Sequence, residues 1–483
     1  MAERLRAMFC DHLSIMRGKY LPASKIRDDE TRFCRSTFGV HYDKDLLPAP
    51  GSMMLEGLPD MELRWMHDEI RDGWEANTKV VLGDLYDDAG QPLGLCPRGA
   101  LKRAVAAWGE RGLTPKVGIE LEAFAFIHDE NGALTPYNSR GAVVYGTGPF
   151  TDPLGFNDQI WNMADKLGFR LDMITAEYDT PQFEYTLTFD DAVKAVDDIV
   201  MFRQMAREIA LQAGVILTFM PKPIPEAGGS GMHINFSFVD ETGRNAVAGE
   251  KSGGPAHLND LAKGCVSGLL THHKGLAGLI APTATSYKRL VPASLSGYWR
   301  NWGGDHRNVT TRISTEGGAK ARMEHRMADA SANPYTAVAA VLQAALLGQD
   351  HTDALPPTET GDGFETTDAT EGTATDLGAA IADLEADTTL CAAVGDLLTQ
   401  NHIFMKGQEV EKTADLDDAE AKNEDNLDPA RRQNPYRRGR QRHQHDGSRR
   451  GKRHHGRGRR MRRQPVLRDL PCLRRRRLGR QNR

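Results

Sequence analysis

The 483-residue chain contains no run of 18 apolar residues, so no segment is expected to cross a membrane as a helix. Its first residues, Met1-Ala-Glu-Arg-Leu-Arg6, lack the apolar core of a signal peptide. Cysteine is scarce. Cys10, Cys34, Cys96, Cys265, Cys391 and Cys472 are scattered with no C-x-x-C pair, which predicts free thiols in a reducing cytoplasm and argues against a cysteine-built zinc site. There is no G-x-x-x-x-G-K-[ST], so a nucleotide would not be held by a P-loop. No internal repeat is visible.

What is present is a globular composition, 40% hydrophobic and 26% charged, over a length that predicts two or more domains. The net charge of −5 hides an imbalance. Residues 431–483 hold 22 Arg and Lys against 2 acids, about +20, so the first 430 residues carry about −25.

Residues 1–96 read as a small α+β module. Arg17-Gly18 looks like a hairpin turn, the stretch from Pro48 to Pro59 like a loop, and Thr78-Lys-Val-Val-Leu82 like a strand. Pro97 opens a helical pattern that closes at Gly112, which puts a domain boundary near Cys96. Strands and helices then alternate. Helices are predicted from Asn157 to Leu167, from Asp191 to Ala213, as a pair over 257–280, and from the Ser331-Ala-Asn-Pro334 start to Leu347. Strands are predicted over Lys116–Phe126, Thr180–Thr186, Val215–Met220 and Met232–Phe238. Residues 351–375 read as an exposed loop and about 376–422 as helix. From about Asp428 the texture turns to Arg, His, Gln and Gly, which cannot bury enough surface to offset its ordering entropy, so residues 429–483 are expected to be disordered.

Lys116-Val-Gly-Ile-Glu-Leu-Glu-Ala-Phe-Ala-Phe126 is the stretch with the most chemistry in it. Strand side chains alternate, so Glu120 and Glu122 share the face opposite Val117, Ile119 and Leu121. Two like charges so placed repel each other and call for a cation. An isolated E-x-E is also what a solvated strand face looks like. Three further stretches repeat the device, however. Gln182 and Glu184 share a face, with Glu177 seven residues before Glu184. His233, Asn235 and Ser237 share another, backed by Met232, Ile234, Phe236 and Phe238. Arg322, Glu324 and Arg326 share a third. Five glutamates, one histidine and Arg289, Arg307, Arg312, Arg322 and Arg326 make a set suited to hard divalent cations and phosphate oxygens, the equipment of phosphoryl transfer.

These motifs, with Gly229-Ser-Gly-Met-His233, Ser286-Tyr-Lys-Arg289-Leu-Val-Pro292 and Arg322-Met-Glu-His-Arg-Met-Ala-Asp-Ala-Ser-Ala-Asn-Pro334, resemble the glutamine synthetase family in order and spacing. The resemblance spans most of the chain ahead of the basic tail. It implies an α+β protein: a β-grasp domain over 1–96 and a catalytic domain on a curved antiparallel sheet over 97–428. It also implies a ring-shaped homo-oligomer, usually a dodecamer, with sites between subunits. In the family, ATP phosphorylates the γ-carboxylate of glutamate and an amine attacks the acyl phosphate. Carried over, Glu122, Glu177 and Glu184 are the ligands of one Mg²⁺ or Mn²⁺, and Glu120, His233 and Glu324 those of a second. Arg289 and Arg326, with the Gly229 backbone, correspond to the glutamate site. Arg307, Arg312, Arg322 and Ser237 correspond to ATP contacts, and Glu122, Arg289, Arg307 and Glu324 to the catalytic groups.

The chain departs from the family in several places. The usual R-L-V-P-G-[YF]-E-A-P reads Arg289-Leu-Val-Pro-Ala-Ser-Leu295-Ser here, and leucine replaces an acid that helps bind and deprotonate ammonium. That favours an organic amine as acceptor, with ordinary glutamine synthetase as the alternative and a catalytically silent structural or regulatory member as a third reading. Gly228, Asn235 and His306 stand where asparagine, histidine and asparagine are usual. The family's tyrosine adenylylation loop is not recognisable. Asp43 and Asp45 could reach a neighbouring subunit's site or simply shape their loop. The segment 429–483 reads either as an out-of-frame end in a GC-rich gene or as a polybasic arm that binds nucleic acid through counterion release.

Overall fold

A 15-residue strand, β8 (Thr114–His128), carries the pairing of five others. It lies antiparallel to β11 (Gln182–Leu187) on one side and to β14 (Met232–Val239) on the other. Three short strands, β9 (Leu134–Pro136), β12 (Asp190–Asp191) and β13 (Ile216–Thr218), pair with parts of it that those two leave open. Beyond β11 lies β10 (Leu171–Ala176). Beyond β14 come β17 (Met323–His325), β16 (Thr311–Ile313) and β15 (Trp302–Gly304), completing a ten-stranded sheet that is antiparallel except between β15 and β16. The computed structural model describes residues 3–248, 258–314, 316–350 and 355–427. The chain divides at Ala421 into one compact unit and a remainder from Lys422. Residues 429–483, with both readings of them, lie outside the described residues.

One face of β8, with Val117, Ile119, Leu121, Ala123 and Ala125, is buried in the main core. It packs there on α1 (Pro97–Gly109) and α3 (Ala192–Gln212). Also in this region are α2 (Phe156–Leu167), α4 (Asp260–Thr271), α5 (His273–Ile280) and the short α6 (Ser286–Arg289). The centre of the helical layer is α7 (Pro334–Leu347), buried on nearly every side, as its unbroken apolar sequence requires. Its start is fixed by Asn333, whose side chain accepts from the N–H groups of Tyr335 and Thr336, with Pro334 at the first helical position. The expected helix over 376–422 is three: α8 (Leu377–Ala386), α9 (Thr388–Val394) and α10 (Asp396–Leu427). The breaks fall at Asp387, which caps α9, and at Gly395, with φ of 132°. Among the described residues no helix is long and apolar enough to cross a membrane.

The N-terminal residues form two small sheets. One orders β2 (Met16–Pro22), β1 (Arg4–Cys10), β6 (Thr78–Leu82) and β5 (Arg71–Asp72), with β1 and β6 parallel. The other holds β3 (Glu30–Cys34), β4 (Asp60–Arg64) and β7 (Asp84–Tyr86). Alternation decides which core each side chain joins. Leu5, Ala7, Phe9 and Val81 pack between the small sheets, whereas Met8, Cys10, Val80 and Leu82 join the main core. Cys96, where the sequence suggested a domain boundary, is the N-cap of α1.

Three local expectations change. The hairpin does not turn at Arg17-Gly18: those residues lie inside β2, opposite Phe9 and Met8. The turn is Asp11–Ile15, where the Asp11 carboxylate accepts from the N–H groups of Leu13 and Ile15, both at 2.9 Å. Gly18 is needed for close approach, since a Cβ there would lie 2.9 Å from the Ala7 carbonyl oxygen. Strand β10 gives little signal because it is an edge strand with a bulge between Leu171 and Met173. The stretch over 355–375 is irregular but not wholly exposed. Glu359 is buried and accepts from Asn301 Nδ2 and Thr367 Oγ1 at 2.9 and 2.8 Å.

The α4–α7 contact rests on glycine. A Cβ on Gly268 would lie 1.9 Å from the Ala344 carbonyl oxygen, a backbone atom that cannot step aside. Gly268→Ala is expected to destabilise the protein by about 1–3 kcal/mol in chemical denaturation. Gly407→Ala on α10, where a Cβ meets nothing within 4 Å, is expected to be neutral or to stabilise by roughly 0.5–1 kcal/mol.

Candidate active site

The second face of the large sheet is polar because the period-two pattern continues across strands. Register, not sequence distance, decides which polar groups meet. Glu184 on β11 lies opposite Glu122 on β8, and Thr186 opposite Glu120. On the other flank His233 of β14 lies opposite Glu120, and Asn235 opposite Gly118. Asn235 then pairs with Glu324 of β17, and Glu324 with Arg312 of β16. Thr186 was not singled out from the sequence, although the same alternation that exposes Glu184 places it on this face. Glu177 follows β10, and its N–H donates to the Gln182 carbonyl at 3.0 Å, folding it back beside β11. Ser237 sits further along β14, opposite Lys116.

Ligating atoms of Glu120, Glu184 and His233 all lie within 4.8 Å of one another. This triad takes Glu120 and His233 from one of the ligand sets expected from sequence and Glu184 from the other. Glu120 is held by His233 Nδ1 and Asn235 Nδ2, both at 3.1 Å. Burial opposes its charge, but these bonds, with the charge of His233 and Arg326, hold its carboxyl down at about 2. Glu184 has the reverse environment. Burial, then repulsion from Glu120, Glu122 and Glu177, pushes its carboxyl up to about 8. Burial and the charge of Glu122 raise Glu177 as well. Glu122 is fixed by the N–H of Gly231 at 2.7 Å and Gln182 Nε2 at 3.1 Å. Adjacent carboxylates that oppose one another's ionisation, with one imidazole at hand, fit a hard divalent cation bound through oxygen and nitrogen.

Glu324, 5% exposed, is the anchor of the arginine group. Arg326 pairs with one of its oxygens and Arg312 with the other, the latter at 3.0 Å. The same Glu324 lies 3.5 Å from His233 Nδ1. Arg312 also pairs with Asp305, an acid the sequence did not flag, held at φ 45° in the turn after β15. Arg322 donates to Asn235 Oδ1 at 3.2 Å and pairs with Glu316 at 2.9 Å. Arg312, Arg322, Asn235, Glu324, Glu316, Asp305 and Ser314 line an open cleft of about 250 Å³. Arg307 is exposed on the same turn as Asp305.

Arg289 differs from the others. It is 6% exposed, and its Nη1 and Nη2 donate to the Met327 and Arg326 carbonyls at 2.9 and 3.3 Å. It holds the backbone that carries Arg326. The Gly229-Ser-Gly231 loop lies against it: a Cβ on Gly229 would come 2.6 Å from Arg289 Cγ, and one on Gly231 would come 2.7 Å from Nη2. Gln182 Nε2 also donates to the Gly229 carbonyl at 3.0 Å, so one side chain ties this loop to Glu122. Arg326 Nε is buried with no partner among the described residues. A donor left so is costly unless a ligand oxygen meets it. The loop after α6 presents Leu295 at 41% exposure, with Ala293 at φ 55°. Asp43 and Asp45 both pair with Lys412 of α10.

Residues 94–423 match the family described as glutamine synthetase, catalytic domain. Glutamine synthetase of Pyrococcus abyssi is 31% identical over 356 residues, covering 72% of this chain and 75% of that protein. Glutamine synthetase of Halobacterium salinarum is 32% identical over 362 residues, with coverage of 73% and 76%. Among solved structures, GmaS (γ-glutamylmethylamide synthetase) without ligand aligns with a TM-score of 0.74 at 26% identity, over 86% of this chain and 94% of that one.

The raised Glu184 carboxyl fixes a sign. With its carboxyl at about 8 against an ordinary value of 4.5, the fold without metal binds more protons than the unfolded chain between those values. Its contribution to stability is therefore present below about 4.5 and lost as pH rises through about 8. A divalent cation bound there would hold the carboxylate ionised and reverse the loss. Melting of chelator-treated protein should fall more steeply between about pH 6 and 9 in the wild type than in Glu184→Gln. Mn²⁺ should restore the wild type, and should raise the variant's melting temperature far less.

Proposed function

The chain belongs to the glutamine synthetase family, and from that premise we propose that it joins the γ-carboxylate of glutamate to an organic amine, driven by ATP. Membership itself makes it an ATP-dependent carbon–nitrogen ligase of the glutamine synthetase type. The organic amine is the finer step, and Leu295 carries it. The loop 291–299 contains no acid, and its leucine is presented to solvent where the family pattern places a glutamate. A half-exposed leucine cannot attract ammonium, but it can cover an alkyl or aryl group. Structural likeness to GmaS supports this reading. The names of the curated relatives, plain glutamine synthetases, favour ammonia and keep that as the second reading.

In the reaction, a γ-carboxylate oxygen of glutamate attacks the γ-phosphorus of ATP and ADP leaves. The amine nitrogen then attacks the acyl carbon, phosphate leaves with that oxygen, and the nitrogen loses a proton. Two divalent ions would supply charge neutralisation at the transferred phosphoryl group. Glu122, Glu177 and Glu184 are proposed to hold one, and Glu120, His233 and Glu324 the other. Glu184 and Glu120 lie close enough that the sets share an edge. Arg326, with the Gly229 backbone, is proposed to hold glutamate. Arg289 acts from behind by fixing the Arg326 carbonyl. Arg307, Arg312 and Arg322 would face the nucleotide phosphates, and Ser237 the nucleotide. Glu122, Arg307 and Glu324 are the groups proposed to act on the reacting atoms. We read residues 1–96 as the β-grasp domain and 97–428 as the catalytic domain of a cytoplasmic ring-shaped homo-oligomer.

Phosphate release over a panel of amines tests the reading. Turnover with glutamate and a primary alkyl or aryl amine should exceed that with ammonium at equal concentration. Leu295→Glu should lower the KM for ammonium by about fivefold, the worth of one partly screened ion pair. Full turnover by the wild type with ammonium at low concentration would restore the ordinary glutamine synthetase reading.

A further inference from the structure

Arg307 lies in the turn between β15 and β16, and what holds this turn is a second loop, 359–368. Two bonds meet on the ring of His306. Its Nε2 lies 2.7 Å from the Gly361 carbonyl oxygen, and a carbonyl only accepts, so Nε2 carries the hydrogen. The backbone N–H of Asn308 donates to Nδ1 at 3.1 Å, so Nδ1 carries none. The two bonds coexist only on a neutral ring in this one tautomer. Asn308 adds a third tie from its side-chain amide to the Asp362 carbonyl.

The loop is built to serve as an anchor. The Asp362 carboxylate accepts from the N–H groups of Phe364, Glu365 and Thr366 at 2.8, 2.7 and 3.1 Å. Buried Glu359 accepts from the N–H groups of Gly361 and Asp368 at 2.9 and 2.7 Å and from Asn301 Nδ2 at 2.9 Å. Asn301 Oδ1 in turn takes the N–H of Thr310 at 3.0 Å. The turn bearing Arg307 is thus gripped near its end by Asn301 and in its middle by His306.

We infer that His306 is a positioning residue whose neutral ring fixes the turn that aims Arg307, so that protonation of that ring weakens nucleotide binding. The inference rests on the proposed assignment of Arg307 to the nucleotide phosphates. The charged groups on the elements around the ring are Asp305 and Arg307 on its own turn, Arg312 on β16, and Glu359, Asp362, Glu365 and Asp368 on the loop. Asp305 is paired with Arg312, Glu359 and Asp362 are engaged as above, and Asp368 accepts from Thr360. A proton on Nδ1 would therefore set two donors, Nδ1–H and the Asn308 N–H, against each other. Asparagine at 306 would keep an oxygen for the Asn308 N–H without titrating.

The test is calorimetric titration of the full-length protein with ADP and Mg²⁺ at about pH 8 and about pH 6, the range over which imidazoles titrate. The ratio of the two dissociation constants should be about fivefold larger in the wild type than in His306→Asn, the worth of one hydrogen bond. His306→Phe, which makes neither bond, should bind about fivefold more weakly than the wild type at about pH 8 and show the flat ratio of the asparagine variant. A wild-type ratio in His306→Asn, or wild-type affinity in His306→Phe, would overturn the inference. Arg307→Ala separates the premise from the inference. If it binds the nucleotide as the wild type does, the Arg307 assignment falls and the inference with it. If it binds weakly while the histidine variants keep the wild-type ratio, the inference alone falls.

Discussion

Repulsion among carboxylates is the constraint on which the sheet's polar face depends. Glu120, Glu122, Glu177 and Glu184 are crowded on or beside two adjacent strands, where no two can ionise without raising the cost for the others. The protein resolves half of this with its own groups. His233 and Asn235 satisfy Glu120, Gly231 and Gln182 satisfy Glu122, and Arg312 and Arg326 neutralise Glu324. Glu184 has only the Thr186 hydroxyl, at 3.4 Å, and in both Glu184 and Glu177 burial and like charge prevail. A fold that keeps two such groups beside an imidazole keeps stored repulsion that a divalent cation bound there would discharge.

The rest of the architecture secures this arrangement. Strand β8 is gripped on both edges, so the spacing of Glu120 and Glu122 is set by continuous backbone pairing rather than by a loop. Behind it, Val117, Ile119 and Leu121 are locked into the core with α1 and α3. The glycines of the 228–231 loop admit Arg289 to within van der Waals contact, and Arg289 fixes the chain after β17. Rigid elements therefore carry the carboxylates, while Leu295 and Arg307, the groups proposed to face the amine and the nucleotide, sit on loops. This is how one scaffold can keep its chemistry while changing its acceptor.

Strands with an apolar side and a polar side were legible in the sequence, because period-two alternation is written directly in residues such as Met232 to Phe238. So was α7, whose apolar run and Asn333-Pro334 start leave little choice. Edge strand β10 was not, since half-exposed Asp172 and Met173 give no alternation. The turn at Asp11 was missed because Arg17-Gly18 offers the stronger local signal, whereas Gly18 serves close packing against Ala7. In the site, sequence named the carboxylates, the histidine and several of their partners but not which of them would meet. Register puts Glu184 within ligating distance of Glu120 and His233, across the two sets that order along the chain suggested. The 359–368 loop was invisible for the same reason: its role arises from contacts with a segment some 50 residues away. Asp305 was missed because its partner Arg312 comes to it only through the course of the turn after β15.

The claim at the centre of this account is that these residues activate a glutamate carboxylate by phosphorylation before an amine attacks. Isotope transfer tests it most directly. Glutamate labelled with ¹⁸O in the γ-carboxylate should pass one labelled oxygen to each phosphate released in the presence of ATP, Mg²⁺ and a primary organic amine. Phosphate released without label while amide is formed would contradict the account.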